Sequence, residues 1–403
     1  MTSEERHEAR YQRRRAKRLA RDRRRAEEYT RWEDSFGFTP LIAGYKNVAR
    51  ASRKRATTQA WMGNLCANTR KIQKRLENGT WKSMGFNAFR LKERGKWRDI
   101  LSVHISEKGI QNSFSNNCLI PILRPHLIYD NGASLTGKGT EFALKRFEKH
   151  LRDHVRKHGL RGGIYFFDFS GFFASVPTAP LVRRVSEKVM RRAFIALYEA
   201  LVYAFGDVGL GLGSQVSQIS AVFYPDPADH LVKDKYGIHG YGRYMDDGYI
   251  ICDDLDRLKA VASAFEQKCE SLGLKMNRKK CQIIKISKPF AFLKQRFRIT
   301  ATGKIVRKPA RQTAKKERKR LHAFRRFYDA GLMPYRTVWL NFHSWIMSLH
   351  QKNNFRMQVG AIQYFHGLFP EHPPYSPNKI KTHKQKRVAF AARNAMTTRK
   401  EAA

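Results

Sequence analysis

Three carboxylates in this chain have the setting that phosphoryl transfer requires. Asp168 closes a short, wholly apolar run, Gly163-Ile164-Tyr165-Phe166-Phe167, while Asp246-Asp247 sits at the tip of a hairpin candidate over residues 240–254. Acids at strand ends, rigidly held and close together, can bind two divalent ions roughly 3.5–4 Å apart. One ion activates an attacking 3′-hydroxyl, and the other neutralises charge building on departing pyrophosphate. Mg²⁺ suits oxygen-only ligands of this kind, keeping waters and substrate phosphates in its remaining positions. Singly, each feature has a plainer reading: an Asp after an apolar strand is more often a turn residue, and an Asp-Asp pair more often a solvated turn.

The elements around these acids follow from periodicity. Residues 38–90 read as helices, with Trp61, Leu65, Ile72 and Leu76 at helical spacing. The stretch from Phe86 to Ile105 alternates about the turn signal Glu93-Arg94-Gly95-Lys96, which predicts a hairpin. Residues 107–158 are predicted helical, broken by glycines at 132, 137 and 139, and the strand 163–168 follows. A helix over 180–204, a loop at 209–217, a second helix, the hairpin and a helix over 256–272 complete the pattern. Short strands then run to about 300, and the chain from Lys304 reads as basic and helical. Helix, strand–acid, helix, hairpin–acid, helix describes an α+β fold rather than a doubly wound sheet.

Charge narrows the partners. Lys and Arg total 79 against 34 acidic residues, a formal net charge of +45. Polyanions must neutralise such an excess, and each Lys or Arg pairing with a phosphate releases a condensed counterion. The first 36 residues are especially Arg-dense, with too few apolar side chains for a core-facing stripe, so the segment is expected helical or disordered when free and helical along a phosphate backbone. Hydrophobic residues at 42% exclude global disorder. No run of about 18 apolar residues exists, which argues against a membrane span, and no apolar h-region follows the basic N-terminus. Five scattered cysteines without Cys-x-x-Cys spacing fit a reducing cytoplasm and give no zinc or disulfide framework.

The residues flanking the acids carry a family resemblance. Tyr244-Met245-Asp246-Asp247 resembles the Tyr-x-Asp-Asp signature of reverse transcriptases, and the segment Phe167 to Ser175 looks like that family's first palm motif. Between them, Leu212-Gly213-Ser214-Gln215-Val216-Ser217-Gln218 is similar to the nucleotide-loop motif, in the family's chain order. Leu272 to Lys280 resembles the motif after the Asp-Asp hairpin, which places Lys280 where a lysine can protonate pyrophosphate. Phe292-Leu293-Lys294 looks like the primer-grip turn, with Lys294 where the family usually has Gly. Lys96-Trp97-Arg98 resembles the fingers that clamp an incoming triphosphate, with Arg98 as a bidentate phosphate contact and Lys96 or Lys92 as a second charge.

The resemblance implies a right-hand polymerase with fingers, a palm of antiparallel sheet plus helices, and a helical thumb. It implies that Asp168 and Asp246 bridge two Mg²⁺ ions, with Mn²⁺ a possible substitute, that Asp247 is an auxiliary acid, and that the Phe169 carbonyl completes one coordination sphere. Phe173 falls where the family sets a bulky ring against the sugar; its plainer reading is a core aromatic. Leu212 replaces the usual Gln, and Gln218 the usual Pro, as in the enzymes of diversity-generating retroelements and in some unclassified or antiphage-defence bacterial reverse transcriptases. An aliphatic side chain there removes a hydrogen-bonding group beside nucleotide and template.

The expected organisation is a basic RNA-binding arm over 1–36, fingers over 37–158, palm over 159–290, primer grip and thumb over 291–375, and a basic tail over 376–403. In the thumb, Leu321, Phe324, Phe327 and Tyr328 oppose a basic face, and Trp345, Phe355 and Phe365 are expected in its core. The implied activity is cDNA synthesis from a dedicated structured RNA, with primer and dNTPs as substrates, a possible accessory subunit, no membrane, and the cytoplasm of a bacterial or phage-infected cell as its place. The alternatives are an antiphage-defence enzyme, a non-catalytic RNA binder with a relict palm, and an RNA-dependent RNA polymerase.

Overall fold

The computed structural model describes residues 3–93, 96–349 and 353–375. The basic tail expected over 376–403 lies outside the described residues, as do Arg94 and Gly95 of the expected hairpin turn. The chain divides into two compact units, Met1–Lys288 and Pro289–Ala403. No helix among the described residues is long and apolar enough to cross a membrane.

The first unit opens with α1 (Ser3–Tyr29). Residues 12–21 of this helix are exposed on every side, whereas Asp22 and Ala26 in its last turns are buried. The Asp22 carboxylate there takes Lys188 at 3.3 Å, His126 at 3.5 Å and Arg25 at 3.6 Å. The arm docks without an apolar stripe along its length, through this buried acid together with Ala26 and Tyr29 in the last turns. Helices α2 (Trp32–Phe36), α3 (Phe38–Ser52), α4 (Ala56–Gly63) and α5 (Leu65–Glu77) follow, then the hairpin β1 (Phe86–Glu93) and β2 (Lys96–Val103). Next come α6 (Ile105–Phe114), a π-turn at Ser115–Leu119, α7 (Ile120–Leu123) and the amphipathic α8 (Thr140–His158).

A four-stranded antiparallel sheet forms the middle of this unit. Its order is β4 (Tyr241–Tyr244), β5 (Asp247–Cys252), β3 (Gly163–Asp168), β6 (Gln282–Lys285). All six residues of β3 are buried, because helices cover both faces of this central strand. Successive side chains of a strand point to opposite faces. Phe166 accordingly meets Phe147 of α8 at 6.0 Å between ring centroids, while Phe167 meets Phe265 of α14 (Leu255–Ser271) at 4.5 Å. Each fully buried ring of this kind contributes about 1.5–3 kcal/mol relative to exposure. Gly248 of β5 lies opposite Phe167, and a Cβ there would come within 2.1 Å of the ring.

Between β3 and β4 the chain forms α9 (Phe172–Ser175), α10 (Thr178–Val189), α11 (Arg192–Tyr203), α12 (Gln215–Phe223) and α13 (Asp226–His230). The single helix expected over 180–204 is therefore two. Met190, at φ +62°, breaks it, and no glycine or proline marks the break.

In the second unit β7 (Phe290–Phe292), β8 (Gln295–Ile299) and β9 (Ile305–Pro309) make an antiparallel sheet. The stretch after Lys304 thus begins as a strand rather than a helix, drawn into pairing by β8. Helices α15 (Thr313–Asp329), α16 (Tyr335–Met347) and α17 (Phe355–Leu368) follow, around a core of Leu321, Val338, Phe342, Ile346, Phe365 and Phe369. The Phe342 and Phe365 rings stack at 4.2 Å. Trp345 and Phe324 pack half-buried against this core, but Phe355 is 77% exposed at the start of α17 and Phe327 also faces solvent. Helical spacing placed both on an apolar face that the core does not reach.

Candidate active site

The sheet brings the three acids together. Antiparallel pairing sets Asp168 at the end of β3 opposite Asp247 at the start of β5, and Asp246 precedes it in the turn from β4. The Phe169 N–H donates to the Asp246 carbonyl at 3.1 Å, which ties the turn to the strand end. Met245 sits in that turn at φ +56°. A non-glycine residue held there costs of order 1–3 kcal/mol and persists only where its surroundings enforce it.

A third chain segment closes on Asp168 from the other side. Asn277 donates its N–H to the Asp168 carbonyl at 2.8 Å and its Nδ2 to Asp168 Oδ1 at 2.9 Å. Lys280 Nζ donates to Asp168 Oδ2 at 2.5 Å, and the Ser170 N–H donates to the Lys275 carbonyl at 2.7 Å. Both oxygens of Asp168, only 3% exposed, are thereby engaged.

The electrostatics of this cluster are those of anions in want of a cation. Burial pushes Asp247 up to about 7, reinforced by the Asp246 charge and a shared hydrogen bond with Asp168. Asp246 is raised as well, by burial first and by Asp168 next, against the lowering influence of Lys280 and Arg98. Burial alone would lower the Lys280 ammonium; its bond to Asp168 and the neighbouring acids outweigh that and raise it. Among the described residues no three His, Cys, Asp or Glu side chains stand as a ready-made coordination shell. The donor set nevertheless fits a hard divalent cation: crowded carboxylate oxygens only, two of the acids raised by burial and by one another, with a lysine ammonium on Asp168 Oδ2.

The loop that leads into α12 packs against the turn that follows β3. The Leu210 N–H donates to the Phe173 carbonyl at 2.7 Å and the Gly209 N–H to the Val176 carbonyl at 2.8 Å, so this loop and the Phe173 turn are laced together. Phe173 is half-buried, edge-on to Phe172 at 5.9 Å. Leu212 is half-buried and Gly213 adopts φ +108°, a conformation that favours glycine. Gly213 and Gln218 line a cavity of about 270 Å³ with Ile120, Ser134, Gln215 and Ile219. Gln215 anchors the loop to α6 and the π-turn after it through Asn112 at 2.7 Å, the Gln111 side chain at 3.2 Å and Asn116 at 3.2 Å. Arg98, on β2, is near enough to act on Asp246. Lys96 opens the same strand, and its side chain lies outside the described residues.

Phe292, Leu293 and Lys294 belong to the second unit, where they turn β7 into β8. Leu293 and Lys294 have φ of +44° and +62°, and Phe292 pairs with Gln295. Two consecutive positive-φ residues make a tight two-residue hairpin turn. Lys294 thus adopts the backbone that glycine would favour.

Sequence reasoning missed three residues. Asn277, three before Lys280, grips Asp168 at two points. Arg243 and Asp229 form a wholly buried pair behind the acidic turn, with Nη2 2.6 Å from Oδ2. The only signal for Arg243 is its place next to Tyr244, and among 79 basic residues it carries no mark of burial.

Comparison with known proteins supplies the family. Residues 90–297, just over half of the chain, match the family described as reverse transcriptase (RNA-dependent DNA polymerase). No curated protein matches the chain. Among solved structures it is similar to telomerase from Candida albicans in complex with a TWJ fragment of telomeric RNA, at a TM-score of 0.46 and 12% identity over 72% of this chain and 55% of that one. It is also similar to apo telomerase from Candida tropicalis truncated from its C-terminal domain, at a TM-score of 0.41 and 13% identity over 55% of each chain. The chain spans about half the length of these telomerase chains.

Proposed function

The chain belongs to the reverse transcriptase (RNA-dependent DNA polymerase) family, and from that premise we propose that it extends a primer with deoxynucleotides on an RNA template. The observation that carries this reading is the pairing of Asp168 with Asp247 across two strands, with Asp246 in the adjoining turn. Asp168, Asp246 and Asp247, with the Phe169 carbonyl, would hold two Mg²⁺ ions, which when bound activate a 3′-hydroxyl and screen the charge on pyrophosphate. Lys280, charged and poised on Asp168, would swing to the pyrophosphate oxygens and give up its proton there. Arg98, with Lys96, would grasp the triphosphate. Phe173 would press on C2′ and exclude a ribose hydroxyl. Leu212, Gly213 and Gln218 would seat the nucleotide against its template base, and the Phe292-Leu293-Lys294 turn would hold the primer end.

In this reading residues 37–158 act as fingers, 159–290 as palm and 291–375 as thumb. The exposed arginines of α1 would track RNA phosphates. Leu212 supports a role in a bacterial or phage diversity-generating retroelement, where an aliphatic residue at this place accompanies error-prone copying. Sequencing the DNA made by the purified protein with its co-purifying RNA separates that role from antiphage defence: mutations confined to template adenines support the first.

Asp246→Asn tests the site. It removes a charge without changing shape, so primer extension should vanish in Mg²⁺ and Mn²⁺ while RNA affinity stays within about twofold. Extension by this variant would overturn the assignment.

A further inference from the structure

The acidic turn is held from behind by one buried arginine. Arg243 lies on β4, two residues before Met245 and three before Asp246, and its guanidinium is fully buried. Nε donates to Asp229 Oδ1 at 2.8 Å, Nη2 to Asp229 Oδ2 at 2.6 Å and to the Val222 carbonyl at 2.8 Å, and Nη1 to the Met245 carbonyl at 3.1 Å. Asp229 in turn accepts the Tyr241 hydroxyl at 2.6 Å on Oδ1. The backbone of Arg243 is fixed as well: its N–H donates to the Asp130 carbonyl at 3.2 Å, and its carbonyl accepts from the Gly132 N–H at 2.9 Å.

This arrangement is more than an ion pair. A buried pair is seldom favoured over apolar residues of like volume, so its retention calls for a reason besides stability. Here the planar fork spans three elements: α12 through Val222, α13 through Asp229, and the β4–β5 turn through Met245. Ser214 caps helix α12, its hydroxyl accepting the Ser217 N–H at 3.1 Å, and the first turns of the helix line the cavity beside Gly213. Met245 holds a left-handed backbone conformation in the two-residue β4–β5 turn, and the Nη1 bond to its carbonyl braces that turn from behind.

We propose that Arg243 and Asp229 are positioning residues, a rigid strut that fixes the turn carrying Asp246 relative to α12, the helix lining the cavity beside Gly213. The proposal rests on the polymerase reading above. Its chemistry follows from the guanidinium's shape: a lysine at 243 keeps the charge and one bond to Asp229 but cannot reach Val222, Asp229 and Met245 together. The turn would then relax, and Asp246 and Asp247 would drift from the geometry that the reaction needs.

The test compares wild type with Arg243→Lys and Asp229→Asn, each checked for folding by circular dichroism. Two readouts are taken: steady-state primer extension, and Mn²⁺ affinity of the protein by electron paramagnetic resonance without nucleotide. Turnover is expected to fall by roughly one to two orders of magnitude, with KM for dNTP and RNA affinity within about threefold of wild type, and Mn²⁺ binding weakened at least about fivefold. A purely structural role would lower activity only in step with the folded fraction. The proposal is overturned if either folded variant keeps its turnover within about twofold of wild type, if KM rises as turnover falls, or if neither variant folds. If wild type extends no primer, the polymerase reading fails, and unchanged Mn²⁺ affinity in the folded variants sinks the strut independently.

Discussion

Replacing Gly248 with alanine should separate the two acid-bearing strands. Gly248 follows Asp247 on β5 and faces Phe167, the residue before Asp168 on β3. A Cβ at this position would lie 2.1 Å from Cζ of Phe167 and 2.7 Å from Cε1 and Cε2, short of ordinary contact by more than an ångström at the nearest atom. The ring cannot step aside freely. Phe265 lies against it at 4.5 Å, and Phe169, Tyr165 and Tyr241 surround it at 6.0–6.1 Å. The overlap must pass into the backbone, at a cost of about 1–3 kcal/mol for overpacking. The gain from replacing a strand glycine, about 0.5–1 kcal/mol, recovers only part. A net loss of about 1–2 kcal/mol in urea unfolding is expected. The catalytic loss should be larger, because a displacement of order 1 Å between reacting groups costs about 100-fold. Primer extension and equilibrium unfolding of Gly248→Ala, Phe167→Leu and the double variant measure both. Phe167→Leu removes the clashing atoms, so the double variant should recover much of what Gly248→Ala loses. Wild-type activity and stability in Gly248→Ala, or strict additivity in the cycle, would refute this reasoning.

Three further outcomes follow from the same geometry. Phe173→Ala should lower discrimination for dNTP over rNTP by roughly 10–100-fold, read from single-nucleotide incorporation; an unchanged ratio assigns the ring to packing alone. Asp247 titrates at about 7 in the folded chain, far above the ordinary carboxylate value, so its penalty is absent below the unfolded pKa and grows as pH rises towards the folded one, reaching its full size above it. Mg²⁺ should relieve that penalty and raise Tm more at about pH 8 than at about pH 5.5, with EDTA reversing the gain; equal shifts at both pH values would contradict it. Deleting residues 3–20 should flatten the salt dependence of RNA binding, since each Arg or Lys on a single-strand phosphate contributes about 0.7 to the log–log slope. An unchanged slope would remove the arm from the interface.

How much of this was legible in the sequence depends on what each feature answers to. The strand 163–168 showed itself because a strand covered on both faces must be apolar throughout, and the acids stood out against it. Lys280 was reachable through its local run of residues. Asn277 was not, because its grip on Asp168 depends on which backbone groups a distant segment presents. Arg243 was hidden by the charge excess itself, since an arginine's burial depends on Asp229, fourteen residues away and indistinguishable from other acids. The strand at 305–309 arises from its partner β8 rather than from any preference of Lys and Arg. Phe355 had suitable spacing but sits beyond the reach of its core. The break at Met190 has no conventional breaker at all.

The order of the sheet has a consequence for how such a chain can vary. Asp168 lies on an inner strand, with Asp247 on the neighbour to one side and Asn277 and Lys280 just ahead of the neighbour on the other. Apart from the tight two-residue β4–β5 turn that carries Asp246, the segments that join these strands leave the sheet through helices and return. Their lengths are therefore free parameters: loops can lengthen, shorten or acquire new modules while lateral adjacency keeps the same few atoms in register. Diversification of the periphery is compatible with an unchanged centre.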